Sequence, residues 1–208
     1  MLRVVDSLPP LCRGYCGQKI AAMAHFADCR VYTYPGGVAA LRGGQGVVQG
    51  RVTPALVRQL KILGAGELLL SRPAPGATLL IVLRGVGTGR QNSSQSCYLA
   101  CKLQADVFNV EFDRLYADTA FLMRHAGARV YYTGRAAATV CCGNIEGVCA
   151  APKGQGYGRQ LMQAVLCEEE QLLLSCRHSL WPFYARCGFV PVGRVYTLEW
   201  NTKPGEKI

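Results

Sequence analysis

Residues 152–159 read Pro-Lys-Gly-Gln-Gly-Tyr-Gly-Arg, and the stretch that follows, QLMQAVLCEEE, is patterned as a helix. Gly154, Gly156 and Gly158 thus leave bare backbone at a helix start. The first-turn N–H groups of a helix have no intrahelical carbonyl to bond, and the helix dipole leaves partial positive charge at the same end. Glycine lets such backbone approach a bulky anion with no Cβ in the way. This arrangement suits phosphate or pyrophosphate, and Lys153 and Arg159 flank it as cations.

Two familiar phosphate signatures fit poorly. A Walker loop needs Lys-Ser or Lys-Thr after its last glycine, and none follows here. The dinucleotide fingerprint needs G-x-G-x-x-G, whereas residues 154–158 give G-x-G-x-G. That turn also sits late in the chain, with too little parallel α/β sequence after it for a doubly wound half. Tight packing alone can also select a glycine-rich strand-to-helix turn.

A second motif follows one strand later, where residues 182–193 read PFYARCGFVPVG. Together, VCAAPKGQGYGRQLM and FYARCGFVPVG resemble the GNAT superfamily of acyl-CoA-dependent N-acyltransferases. Lys153 stands where that family's turn carries Arg or Gln. Gly156 and Gly158 stand at its two small-residue positions, and Tyr184 with Gly188-Phe189 matches its later helix. The resemblance covers about residues 105–200. The N-terminal part resembles a reduced GNAT-like unit without a phosphate turn, as in bacterial proteins with a degenerate first half.

The resemblance implies acetyl-CoA as co-substrate and direct transfer of its acyl group to a primary amine, with no metal. The edge of the strand before the turn (Val148, Cys149 and Ala150) would pair with the pantetheine through backbone groups. The diphosphate would sit on amides from Gln155 through Gly156, Tyr157 and Gly158 to Arg159, beside Lys153 and Gly154. A backbone N–H near Val148 or Cys149 would polarise the thioester carbonyl. Tyr184 would protonate the leaving thiolate, and Glu146, the only carboxylate on the strand, is the candidate base. By strand alternation, Val148 and Ala150 should share the face of Glu146. Competing readings are a core tyrosine for Tyr184, a solvated strand residue for Glu146, and a catalytically inactive acyl-CoA-binding regulatory module for the whole. Lys153 in place of Arg or Gln, and the lack of the family's helix Asn before Tyr184, depart from the pattern.

The elements that must position these residues read as mixed α/β. A short helix near 15–27 precedes two strands around Pro35-Gly36-Gly37; a helix from Thr53 and Pro54 follows, then strands ELLL and TLLIVLR. After a polar, glycine-rich joint at 84–96, residues 105–127 carry a loosely helical rhythm ending at Gly127. A hairpin around Gly134, the strand NIEGVCAA, helix 159–170, the strand QLLLSCR, a short helix and two terminal strands complete the order. The fold expected is a mixed, mostly antiparallel GNAT-type sheet flanked by helices. Residues 1–95 would form the smaller half and 96–208 the catalytic domain.

Half of the 208 residues are hydrophobic and 17% are charged, which places the chain among globular rather than disordered proteins. The formal net charge of +10 comes from scattered Lys and Arg with no basic run, so an anionic small molecule is a better match than nucleic acid. No apolar run or export signal suggests a membrane or secretion, and a cytoplasmic location is expected. Eleven cysteines without a C-x-x-C pair, and three histidines, fall short of a zinc pattern and read as buried free thiols. CEEE at 167–170 reads as a solvated helix end. A second copy of the chain stays open as a partner.

Overall fold

A computed structural model describes residues 2–9, 14–88 and 96–200. The chain divides into two compact units, residues 1–82 with 193–208, and residues 83–192. The boundary expected at residue 95 lies outside the described residues.

The first unit holds β1 (Arg3–Val5), α1 (Gly14–Met23), β2 (Arg30–Tyr34), β3 (Gly37–Arg42), β4 (Gln45–Gly50), α2 (Pro54–Ile62) and β5 (Glu67–Leu70). β6 (Thr78–Val86) begins in this unit, and β11 (Val190–Glu199) ends in it. β2, β3 and β4 form an antiparallel meander, β5 runs parallel to β4, and β11 is antiparallel to β5. β1 and β4 carry no clear alternation and escaped the sequence reading. β11 is one continuous strand where two were expected. Val48, Leu56, Leu60, Leu68 and Leu70 centre the core of this unit. Thr53 caps α2 as expected: its hydroxyl accepts from the Leu56 amide at 3.2 Å, and Pro54 occupies the first turn.

The second unit contains α3 (Cys97–Phe108), α4 (Phe112–His125), β7 (Arg129–Tyr132), β8 (Ala136–Cys141), β9 (Asn144–Ala150), α5 (Tyr157–Glu168), β10 (Gln171–Cys176) and α6 (Trp181–Arg186). β7, β8 and β9 form an antiparallel meander, and β10 lies beside β9 in parallel. The single helix expected over 105–127 is two helices. Asn109 adopts φ 52°, ends α3 and turns the chain; asparagine tolerates this left-handed conformation better than most residues. α3 packs on one face of the meander, where Ala100, Val130, Ala137 and Cys149 form a small apolar layer. The joint expected at 84–96 is structured at its start. β6 reaches Val86, and the amides of Gly87 and Thr88 then donate to the carbonyls of Glu170 and Leu166 near the end of α5. The rest of that joint, 89–95, lies outside the described residues.

Candidate active site

Every candidate catalytic or cofactor-binding residue lies in the second unit. β9 pairs with β8 along its whole length, from Cys141↔Asn144 to Ala136↔Ala150. Toward β10 it pairs only once, at Asn144↔Leu173, backed by the Leu173 amide donating to the Gly143 carbonyl at 2.8 Å. The two parallel strands therefore join at one end and part. The stretch of β9 that includes Val148, Cys149 and Ala150 has no strand partner on that side among the described residues. Unpaired strand edges are a template for an extended ligand with amides of its own.

This edge leads directly into the glycine turn. Residues 152–156 are exposed, and Gly154 and Gly156 hold φ of 82° and 81° with nothing within 4 Å of where a Cβ would stand. A positive φ at both positions is what calls for glycine there. Gly156 is the N-cap of α5 and supplies no side-chain cap. Among the described residues, the amides of Gln155, Tyr157 and Gly158 have no hydrogen-bond partner. The amide of Arg159 differs: it donates to the Gly156 carbonyl at 3.0 Å, so the open set of amides is shorter than the sequence suggests. α5 also starts at Tyr157, two residues earlier than expected.

No family model and no curated protein matches this chain. Solved structures do. A candidate acetyltransferase from Pyrococcus horikoshii superposes with a TM-score of 0.56 at 12% identity, over 92% of this chain and 80% of that one. A conserved protein of unknown function from Staphylococcus epidermidis superposes at 0.51 and 13% identity, over 83% and 94% of the two chains. A GCN5-related N-acetyltransferase from Sphaerobacter thermophilus gives 0.48 and 14%, over 83% and 80%. The chain shares its fold with the first two of these structures.

Within this fold, the two sequence motifs meet at Gly158. A Cβ there would stand 3.2 Å from the Phe183 ring and 3.9 Å from Ala150, so this third glycine serves close packing and not ligand approach. Phe183 belongs to α6, and its ring lies edge-on to Tyr184, 5.0 Å between centroids; Tyr184 in turn meets Phe189 at 5.8 Å. Tyr184 is buried, at 7% exposure. Aromatic packing therefore fixes the helix that carries the candidate acid against the turn that carries the open amides.

The expected alternation along β9 fails. Thr139 faces Glu146 and Ala137 faces Cys149, so three residues of β8 oppose four of β9. The extra residue is a bulge centred on Gly147, which has φ 60°. Directly opposed residues of an antiparallel pair share a face. Glu146 consequently shares its face with Cys149 and not with Val148 and Ala150. Cys149 packs in the apolar layer under α3, and burial pushes its thiol up, only partly offset by a backbone hydrogen bond from Ala137. A raised thiol is a poor nucleophile.

Two functional-looking residues escaped the sequence reading. Glu169, expected in a solvated helix end, is 5% exposed. It accepts a hydrogen bond from the Tyr131 hydroxyl at 2.7 Å and pairs with Arg129. Burial, with the Glu169 carboxylate adding to it, pushes the Tyr131 phenol well above its ordinary range. The other is Gln104 on α3, 2% exposed, whose Nε2 donates to the Gly147 carbonyl at 2.8 Å. A lone Gln in an apolar helical rhythm gives no local sign of a partner on a distant strand.

Proposed function

We propose that this protein is an N-acyltransferase that moves the acetyl group of acetyl-CoA directly to a primary amine. The observation that carries the proposal is the continuity of two unpartnered backbone surfaces. The free edge of β9 runs into an uncapped helix start whose glycines at 154 and 156 stand in open space. An acyl-CoA has the matching chemistry in the same order, a thioester and two amides followed by a diphosphate.

On this reading the pantetheine amides add to the edge of β9, and the diphosphate accepts from the amides of Gln155, Tyr157 and Gly158, with Lys153 and Arg159 as flanking charge. The neutral amine attacks the thioester carbonyl, an amide bond forms, and the carbon–sulfur bond breaks. An N–H of the β9 edge near Val148 stabilises the oxygen as charge builds on it. Tyr184 gives its proton to the departing coenzyme A thiolate. Glu146, half-buried on the face that α3 covers, is the candidate acceptor of the proton from the amine. The acceptor amine, a cytoplasmic setting and any homodimer belong to the same proposal.

Thermal-shift titration with acetyl-CoA, coenzyme A, ATP and NAD tests the binding step. A ligand at 100 times its Kd adds roughly 2.7 kcal/mol to folded-state stability. Stabilisation by ATP or NAD with indifference to both CoA species sinks the proposal. Thiol release across a panel of amines then tests transfer. A second reading, acyl-CoA binding without turnover, is favoured by the burial of Tyr184 between Phe183 and Phe189. Tight binding with no thiol released on any amine would select it.

A further inference from the structure

Among the described residues, a side chain from α3 grips the bulge at Gly147. Gln104 reaches from α3, and its Nε2 donates to the Gly147 carbonyl at 2.8 Å and, more weakly, to the Thr139 hydroxyl at 3.4 Å. Only a nitrogen can donate to a carbonyl, so the orientation of the amide is set. Its Oε1 is then left buried with no partner among the described residues. An orphaned buried acceptor opposes folding, and Leu or Met would fill the same space without one. The approach is also close: a Cβ at Gly147 would stand 2.5 Å from Gln104 Nε2, and Gly147 already adopts φ 60°. Glycine at 147 and glutamine at 104 therefore form a matched pair that favours one backbone geometry at some cost to the fold.

That geometry matters because the bulge lies between Glu146 and Val148, and it decides which amides of β9 turn toward the free edge. We infer that Gln104 is a positioning residue for acyl transfer: by gripping the Gly147 carbonyl it aims the β9 amide that stabilises the thioester oxygen. The inference rests on the acyl-transfer reading given above. It goes beyond that reading in assigning the aim of the edge to a residue on α3, remote from the diphosphate turn.

The test uses the full chain and two variants, Gln104→Leu and Gln104→Glu. In Gln104→Leu, coenzyme A affinity and Tm stay near wild type, because the glycine turn is untouched and the exposed Gly147 can be hydrated. Turnover falls by about ten- to a hundredfold, as a misaimed group does, while KM for acetyl-CoA stays within about threefold. Gln104→Glu regains a donor only when its carboxyl is protonated, so the ratio of wild-type to variant turnover narrows as pH falls. Unchanged turnover in Gln104→Leu overturns the inference, and so does a loss of activity that merely follows a loss of folded protein in both variants. If the wild type binds coenzyme A but transfers nothing, the acyl-transfer reading fails separately. The grip itself is then judged by amide hydrogen exchange at Gly147 to Cys149: faster exchange in Gln104→Leu upholds it, and an unchanged rate overturns it.

Discussion

Each unit contains the same succession: three antiparallel strands, a crossover helix, and a fourth strand parallel to the third. In the first unit these are β2, β3, β4, α2 and β5; in the second, β7, β8, β9, α5 and β10. The parallel pairs differ. β4 and β5 stay in register over Gln45↔Glu67, Gly46↔Leu68, Val47↔Leu69 and Val48↔Leu70, whereas β9 and β10 join only at Asn144↔Leu173. The helix starts differ as well. Thr53 closes the start of α2 with its own hydroxyl, while Gly156 leaves the start of α5 without a side-chain cap. One motif has spent its backbone hydrogen-bonding groups on itself, and its counterpart keeps a strand edge and a helix start available. On the proposed function, binding capacity in this architecture follows from what the backbone leaves unpaired, not from the order of elements.

The largest expected effect separates chemistry from binding at the open motif. Tyr184→Phe should lower kcat by about a hundredfold, the scale of a general acid, and leave acetyl-CoA affinity within about threefold. Steady-state kinetics beside calorimetric titration reads both; unchanged kcat removes the tyrosine from the reaction. Next, Gly156→Thr imitates the closed motif by placing a hydroxyl and a branched Cβ at φ 81°. Stabilisation by saturating acetyl-CoA should be abolished, and the strained backbone should cost about 1–3 kcal/mol by itself. Retained ligand stabilisation would mean that the α5 amides are not the anion site.

The far ends of the crossover helices sharpen the comparison. α2 ends at Leu63 and a left-handed Gly64, whereas α5 ends at a buried Glu169 that accepts from the buried Tyr131 and pairs with the exposed Arg129. Glu169→Gln should cost about 2 kcal/mol in chemical denaturation. This lies below the usual cost of breaking a buried pair because Arg129 is 46% exposed. No change would make the pairing incidental. The smallest effect belongs to the closed motif: Thr53→Ala should cost about 1 kcal/mol, the worth of an N-cap, and leave acetyl-CoA titration unaltered. Altered CoA binding there would undo the distinction drawn between the two helix starts.

Legibility in the sequence followed the range of the signal. The turn at 154–158, the Thr53-Pro54 helix start, the Gly127 stop and the hairpin at Gly134 were all visible, since each depends on residues within a few positions of one another. The break at Asn109 was not, because the apolar rhythm runs across it and one left-handed asparagine carries the whole signal. Cys149 could be assigned as a buried thiol in advance, but the face of Glu146 could not. Strict alternation predicts the wrong neighbours once a single extra residue enters β9.

The amino-acid sequence by itself determined where the backbone would be bare and where α2 would start, and the anion site proposed before α5 rests on the same local features. Those outcomes rest on glycine's conformational freedom, on caps and on the helix dipole, all set within one turn of chain. Only the tertiary structure decided that β9 parts from β10, that Gly147 bulges, that Glu169 is buried, and that Gln104 reaches a carbonyl 43 residues away. Strand register and side-chain partnership depend on which distant segments fold together, and no local preference encodes a partner.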